Sequence, residues 1–420
     1  MQRRRTTGPG ALAVALLLVA SVSGTATADT TLPPPWPFTV DFGSYLLHVH
    51  PEVNYALHPD WLVVWERDRL GRGLMRGTFG SSATDELLVD VHWSLNPELH
   101  RDLRLRQDIV WQERRHLPLD RLDIWLGLEQ RVWRRLAVVA QATPAERKDT
   151  IDLRVGGLWT SPDRTRYVQL MYVLEDLIHD EKDRRNGETE TSPLGLSWLV
   201  RLEHGAWTFY SEGQWVRRFA RRYPDVLRSP DLAAQQRASN DLTVRLRWRP
   251  EPRAALEAAW FQAEDAEMQE FRDGVDWPGL SHYSYDYAGW YRLWSLRGLY
   301  PVAERWRLRG ELHRVDRRAT ATGWQAFVYH RDEVMPALFA EWTWSRRRTV
   351  ELGYLGTFYH WRRTDEDRRR EGEDRRGFAD KVELALILGL RGEAAIKLSL
   401  SHEVSLERFG GGSVRLLTGF

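Results

Sequence analysis

From Glu86 to the end of the chain, apolar and polar residues alternate strictly in short blocks. In the first block Val89, Val91, Trp93 and Leu95 alternate with Asp90, His92 and Ser94, the period of a strand with one apolar and one polar face. The pattern returns over 101–113, 121–131, 134–142, 150–160, 166–176, 194–203, 206–217, 240–249, 254–262, 283–297, 304–313, 336–345, 349–360, 379–390, 393–404 and 412–420. Most blocks hold nine to twelve residues, enough for a tilted strand to cross a bilayer. Short connections (96–100, near Trp133, 161–165, 203–205, 250–253, 298–303, 346–348, 391–392) alternate with longer polar ones (177–193, 218–239, 263–282, 314–335, 361–378). Counting back from the C-terminus keeps the short turns on one side through seventeen strands. The fold class this predicts is all-β: a single transmembrane antiparallel barrel with short periplasmic turns and long extracellular loops. An eighteenth strand from 38–85 makes the number even, within a working range of sixteen to twenty. In that N-terminal region 38–50 reads as a strand and 61–67 as a second extended piece, and the best helix candidate is 230–238.

The chain ends in a hairpin pattern over 399–420: a strand, a glycine turn at Gly410, Gly411 and Gly412, then Val414, Leu416, Thr418 and Phe420 on one face. This ending resembles that of Gram-negative outer-membrane β-barrels, whose last strand closes the barrel and ends in an aromatic residue. The resemblance implies that Phe420 is an assembly signal, that the barrel-assembly machinery and outer-membrane lipids are partners, and that the protein resides in the Gram-negative outer membrane. Thr418 is more polar than is usual in that ending.

Composition narrows the choice further. Twenty-one tryptophans and no cysteine suit interfacial belts and exclude disulfide scaffolds, thiolate zinc sites and an N-terminal lipidated cysteine. Sixty basic against fifty-nine acidic residues provide no global charge that would steer the chain to nucleic acid. Arg3, Arg4 and Arg5, an apolar run from Ala11 to Val22 and the small residues Ala26-Thr27-Ala28 have the form of a cleaved export signal over 1–28. Residues 29–37 then make a proline-rich periplasmic leader, and 38–420 the barrel.

On the apolar face, Trp93, Trp111, Trp159, Trp198, Trp248, Trp260, Trp306, Trp342, Trp344 and Tyr354 are expected to form interfacial girdles. Trp125, Trp277 and Trp361 fall in polar-face register or in loops and are the better ligand contacts. The opposite face is densely charged and must meet a wet lumen. The residues expected to line the pore and bind anions are Arg104, Arg106, Arg245, Arg247, Arg249, Arg305, Arg307, Arg309, Glu311 and Glu341. Arginines at two-residue spacing repel one another unless something negative faces them. That partner is either the wall's own acids or a carboxylated or phosphorylated solute. Over 314–335, Trp324, Tyr329, His330, Arg331 and Asp332 belong either to a candidate inward constriction loop or to a surface loop.

No nucleophile elbow, phosphate loop or dinucleotide glycine pattern is present, and His48 and His50 lack a nameable third metal ligand. No catalytic residue, metal or cofactor is assigned. The reading is a porin-like channel for anionic or saccharide solutes. Its architecture is similar to that of exporters of acidic polysaccharide, which makes periplasmic export or synthesis components further candidate partners. The alternatives are a barrel hydrolase, marked by a histidine with a serine or acid within reach, a sheath around a periplasmic partner, and a soluble tryptophan-rich lectin.

Overall fold

The computed structural model describes residues 58–81, 87–114, 121–143, 150–179, 188–189, 195–216, 219–222, 232–271, 284–323, 327–365, 373–390 and 392–419. The chain divides into two compact units, 1–40 and 41–420, and all described residues belong to the second. The expected export signal, leader, 38–50 strand and Phe420 lie outside the described residues.

Eighteen strands follow one another around a closed antiparallel sheet. They are β1 (Gly73–Ser81), β2 (Leu87–Leu95), β3 (Leu103–Arg114), β4 (Arg121–Trp133), β5 (Leu136–Ala142), β6 (Thr150–Thr160), β7 (Tyr167–His179), β8 (Gly195–His204) and β9 (Trp207–Val216). The circuit continues with β10 (Leu232–Glu251), β11 (Ala254–Phe271), β12 (Ser284–Pro301), β13 (Trp306–Gly323), β14 (Phe327–Ser345), β15 (Arg348–Asp365), β16 (Glu373–Gly389), β17 (Ala395–Glu403) and β18 (Arg408–Gly419). Three further short pieces, at 98–100, 188–189 and 219–222, extend hairpins without joining the circuit. Closure comes from β1 pairing with β18, from Leu74 opposite Gly419 to Ser81 opposite Gly412. The even count follows the predicted one, and β1 is the missing eighteenth strand.

The faces are inverted relative to a soluble protein. On β13, Trp306, Leu308 and Leu312 are exposed, while Arg309 and His313, at the alternate positions, are buried. The exposed surface is therefore apolar and the interior charged, as lipid outside and a polar lumen inside require. Two aromatic rows bound the apolar band. Trp207 with Trp248, and Trp306 with Trp342 and Trp344, mark the short-turn end. Trp260 stacked on Trp294 at 5.1 Å, and Phe358 with Phe378, mark the other. Between Trp306 and Arg314, which stands opposite Trp294, lies roughly 27 Å of strand at about 3.4 Å per residue. A tilt of about 40° reduces that to the roughly 20–25 Å of an outer-membrane apolar band. Past it, the outward rows turn polar: Arg292, Asp316, Asp332 and His360 stand side by side across four strands.

That transition explains several differences from the sequence reading. Above the band both faces are wet, so strands continue without apolar alternation, and β10 to β16 run for 17 to 20 residues. The expected constriction loop at 314–335 is the upper part of β13 and β14, joined across 324–326. Tyr329, His330, Arg331 and Asp332 are strand residues, the first and third buried inside and the other two facing outward; Trp324 lies outside the described residues. The helix candidate at 230–238 is occupied from Leu232 by β10. Gly410, Gly411 and Gly412 belong to β18, and the hairpin turns instead at 404–407.

The wall also bends sharply at one place. Arg106 on β3 reaches Gln169 on β7 at 3.4 Å, although four inter-strand steps of about 4.8 Å make roughly 19 Å of wall. Two glycines on the strands between allow this corner: a Cβ on Gly127 would fall on the Ala140 carbonyl oxygen, and one on Gly156 on that of Leu170. Gly157, beside it, has open space. Gly156→Val is therefore expected to lower stability by at least about 2 kcal/mol or to block assembly, with Gly157→Val close to neutral, read by urea unfolding in detergent. Equal stability of the two variants would remove the role given to the corner.

Candidate functional site

The segment 61–67, read from sequence as extended, is the helix α1 (Pro59–Asp68), and it lies inside the barrel. Its start and stop are locally encoded. Pro59 stands in the first turn, where a missing N–H costs nothing. The Asp60 N–H donates to the His58 ring at 3.3 Å, and Asp60 and Arg67 complement the helix dipole at the first and last turns. Val63, Val64 and the tryptophans favour strands, which is why the segment also reads as extended. The spacing of Trp61, Leu62 and Trp65 places them on one helix face, where they pack against Leu74, Ala395 and Leu417 of β1, β17 and β18.

The helix sits at the short-turn end, the periplasmic side in barrels of this build. Arg67 pairs with Glu393 in the turn between β16 and β17, and Arg164, in the turn before β7, donates to the Leu70 carbonyl at 2.7 Å. The Asn96 amide donates to the Arg69 and Gly71 carbonyls, and the Tyr167 hydroxyl to the Glu66 carbonyl at 2.5 Å. Arg69 pairs with Glu212 and donates to Tyr210 on β9. The stretch from 58 to 71 thus touches β1, β7, β9, β10, β13, β14, β17 and β18, and so stands across the mouth.

Its two inward carboxylates meet the arginine runs. Glu66, with no exposed surface, accepts from Arg245 and Arg247, each at 3.0 Å. Asp60 accepts from Arg249 and Arg307, each at 2.8 Å. Burial pushes the Asp60 carboxyl up, but His58, Arg307 and Arg249 together hold it below the ordinary aspartate value of 3.8. His58 reaches Glu341 at 3.1 Å, and Glu341 also accepts from Arg307.

Behind this layer the wall neutralises itself. Arg247 and Arg297 share Glu257. Arg309 pairs with Glu311 and Glu351, Lys397 with Glu351 and Glu383, and Arg106 with Glu129. Arg104 pairs with Glu98 near the periplasmic turn. Arg305 is exposed in the turn before β13, so that run contributes two strand residues and not three. Farther in, Leu293, Val315 and Met335, with Phe261 and Tyr291, form an apolar layer. Trp361 is buried against Tyr329, and Trp125 lies inside under the Arg154 guanidinium; Trp277 falls outside the described residues. The network and the helix together bring Arg245, Arg247, Arg249, Arg307, Arg309, Glu311 and Glu341 into one region. Arg104 and Arg106 lie apart, on β3.

Two clusters resemble other chemistry. His58, Glu341 and Glu351 offer atoms within 4.8 Å of one another, the spacing of a metal site. Glu351 is already bound by Arg309 and Lys397, and Glu341 by Arg307, so cations of the protein occupy the charge a metal ion would need. Ser295 lies 2.8 Å from His313 Nδ1, and His313 Nε2 lies 2.8 Å from Glu311, the hydrogen-bond order of a hydrolase relay. His313 is completely buried and Ser295 is 7 % exposed, and Glu311 is held by arginines. Among the described residues the relay is thus enclosed, with little serine surface left for an acyl group to meet.

No protein-family model matches the chain, and no curated protein does. Solved structures similar to it include OmpT of Vibrio cholerae lacking loop L8, at 11 % identity over 82 % of this chain and 96 % of that one, with a TM-score of 0.37. OccK10 of Pseudomonas aeruginosa is 10 % identical over 83 % of this chain and 98 % of that one, with a TM-score of 0.34. A bacterial polysaccharide outer membrane secretin is 12 % identical over 83 % and 97 %, with a TM-score of 0.33. On its own closed sheet, apolar band, aromatic rows and charged interior, the chain is an outer-membrane β-barrel of porin-like build.

The Asp60 carboxyl contributes to helix docking while it is ionised. Because its value is depressed in the folded state, that contribution is fully present above the ordinary aspartate range and is lost as pH falls through the lowered value. Near-ultraviolet circular dichroism of the buried tryptophans should stay unchanged from pH 7 to about pH 4 and change only below that. A transition centred near neutrality would contradict this electrostatic account.

Proposed function

We propose that the barrel is a channel for polar solutes that are anionic or saccharide, segments of acidic polysaccharide included. One observation carries the reading: among the described residues at the periplasmic mouth, Arg245 and Arg249 make their ion pairs with Glu66 and Asp60 of α1, and the wall acids Glu257 and Glu212 act on Arg245 only from farther away. Arg307 divides its guanidinium between Asp60 of α1 and Glu341 of the wall. The strands alone thus present excess positive charge where a solute enters or leaves. Fixed guanidiniums at a constriction raise the local concentration of anions and fork onto carboxylates. Deeper in, the near-balance of arginines and acids suits hydroxyl-rich solutes, which exchange water for polar wall groups without a net charge barrier.

The experiment is ion conductance in planar bilayers under a salt gradient. It compares the native chain with Trp65→Ala, which removes an apolar anchor of α1. The native protein should conduct weakly and Trp65→Ala several-fold more, with a reversal potential on the anion-selective side. Arg245→Gln with Arg249→Gln in the Trp65→Ala background should shift that potential toward zero. Cation preference, or silence in both proteins, would refute the reading.

A further inference from the structure

We infer that α1 is an internal stand-in for the transported anion: Asp60 and Glu66 occupy a two-carboxylate site on the wall, and a linear polycarboxylate competes with the helix for it. The inference rests on the channel reading above and identifies the solute as one with carboxylates repeated along an extended chain, as in a polyuronate.

Four guanidiniums from two strands meet the two helix carboxylates, and two of them, Arg247 and Arg307, also hold Glu257 and Glu341 of the wall. Glu66 takes Arg245 on one oxygen and Arg247 on the other; Asp60 takes Arg249 on one and Arg307 on the other. Each carboxylate is thus held on both oxygens by separate arginines, the geometry a carboxylate ligand would find. Asp60 and Glu66 stand six positions apart along the helix, a rise of about 9 Å at about 1.5 Å per residue. Two hexuronate units of an extended chain advance by a similar length. A monovalent anion satisfies only one of the two positions and leaves the other pair of arginines facing each other, so it cannot replace the helix.

The rest of the attachment suits displacement. The helix makes its apolar contact through Trp61, Leu62, Trp65 and Val64 against Leu74, Ile387, Ala395 and Leu417, and Leu70 just beyond it joins a second wall cluster. Buried ion pairs gain little net energy beyond their desolvation cost, so a ligand that supplies equivalent carboxylates can exchange for them. Breaking the pairs with nothing in their place strands buried arginines, which keeps the mouth shut when no polyanion is present. The ligand shifts the docked–undocked balance only by its preference for the vacated site.

Since the chain has no cysteine, Leu62→Cys places a single thiol on the buried face of α1, where Leu62 is 3 % exposed. The rate of its reaction with a maleimide, measured on the full chain in detergent or bilayers, reports undocking. A short oligogalacturonate should raise that rate about tenfold, while monomeric galacturonate and a neutral oligosaccharide of equal length leave it unchanged. Adding Asp60→Asn and Glu66→Gln should make labelling fast without ligand and unresponsive to it. The inference is overturned if oligogalacturonate does not accelerate labelling, if the monomer works as well as the oligomer, or if the double neutralisation leaves the thiol protected. The two proposals fail separately: anion-selective conductance in the neutralised protein without an oligogalacturonate effect sinks only the stand-in role. A freely labelled thiol with no anion conductance sinks the channel.

Discussion

Closure of the sheet through β1 and β18 is the constraint on which the rest of the molecule depends. A strand edge in lipid leaves backbone N–H and C=O groups with nothing to bond, so the circuit must be complete before either face has meaning. Once it is complete, side-chain alternation sends apolar residues outward and charged ones inward on every strand. The aromatic rows at the two ends of the band, the polar rows above it and the charged interior all follow from that one topological fact.

The interior then poses a second problem. Charges taken from water must find partners, and an arginine without an acid in reach is costly. Most of the wall solves this across neighbouring strands, as Glu257 does for Arg247 and Arg297 and Glu351 for Arg309 and Lys397. At the mouth the strands do not suffice, and the chain's own helix supplies Asp60 and Glu66. The helix is thus bound by the same chemistry that qualifies the lumen as a path for anions. Position supports the connection, because α1 immediately precedes β1 and is held at the periplasmic rim by turn residues.

The local shape of the wall has a steric origin. Gly127 and Gly156 lack the Cβ atoms that would collide with the neighbouring backbone at the corner, and that corner lets Arg106 bridge to Gln169. The apolar layer of Leu293, Val315 and Met335 separates the lower ion-pair network from the buried Arg331–Glu333 pair above it. Ser295, His313 and Glu311 lie at the boundary between the network and that layer, where mutual hydrogen bonds satisfy three buried polar groups.

The sequence by itself determined the fold class, the even strand count and which face of each strand is charged. These depend on a period of two and on turn spacing, both of which are local. It placed Arg245, Arg247, Arg249, Arg307, Arg309, Glu311 and Glu341 on one type of face for the same reason. It did not show where strands end above the membrane, because the alternation that marks a strand exists only while one face meets lipid; hence β13 and β14 looked like a loop over 314–335. Nor did it show that 61–67 is helical, although Pro59, Asp60 and Gly71 carry start and stop signals, because strand-favouring Val63, Val64 and tryptophans pulled the reading the other way. Only the tertiary structure decided what the arginine runs face. Glu66 and Arg247 are 181 positions apart, and Asp60 and Arg307 are 247 apart. Contacts at such separations leave no periodicity in the chain and exist only after the sheet has closed around the helix.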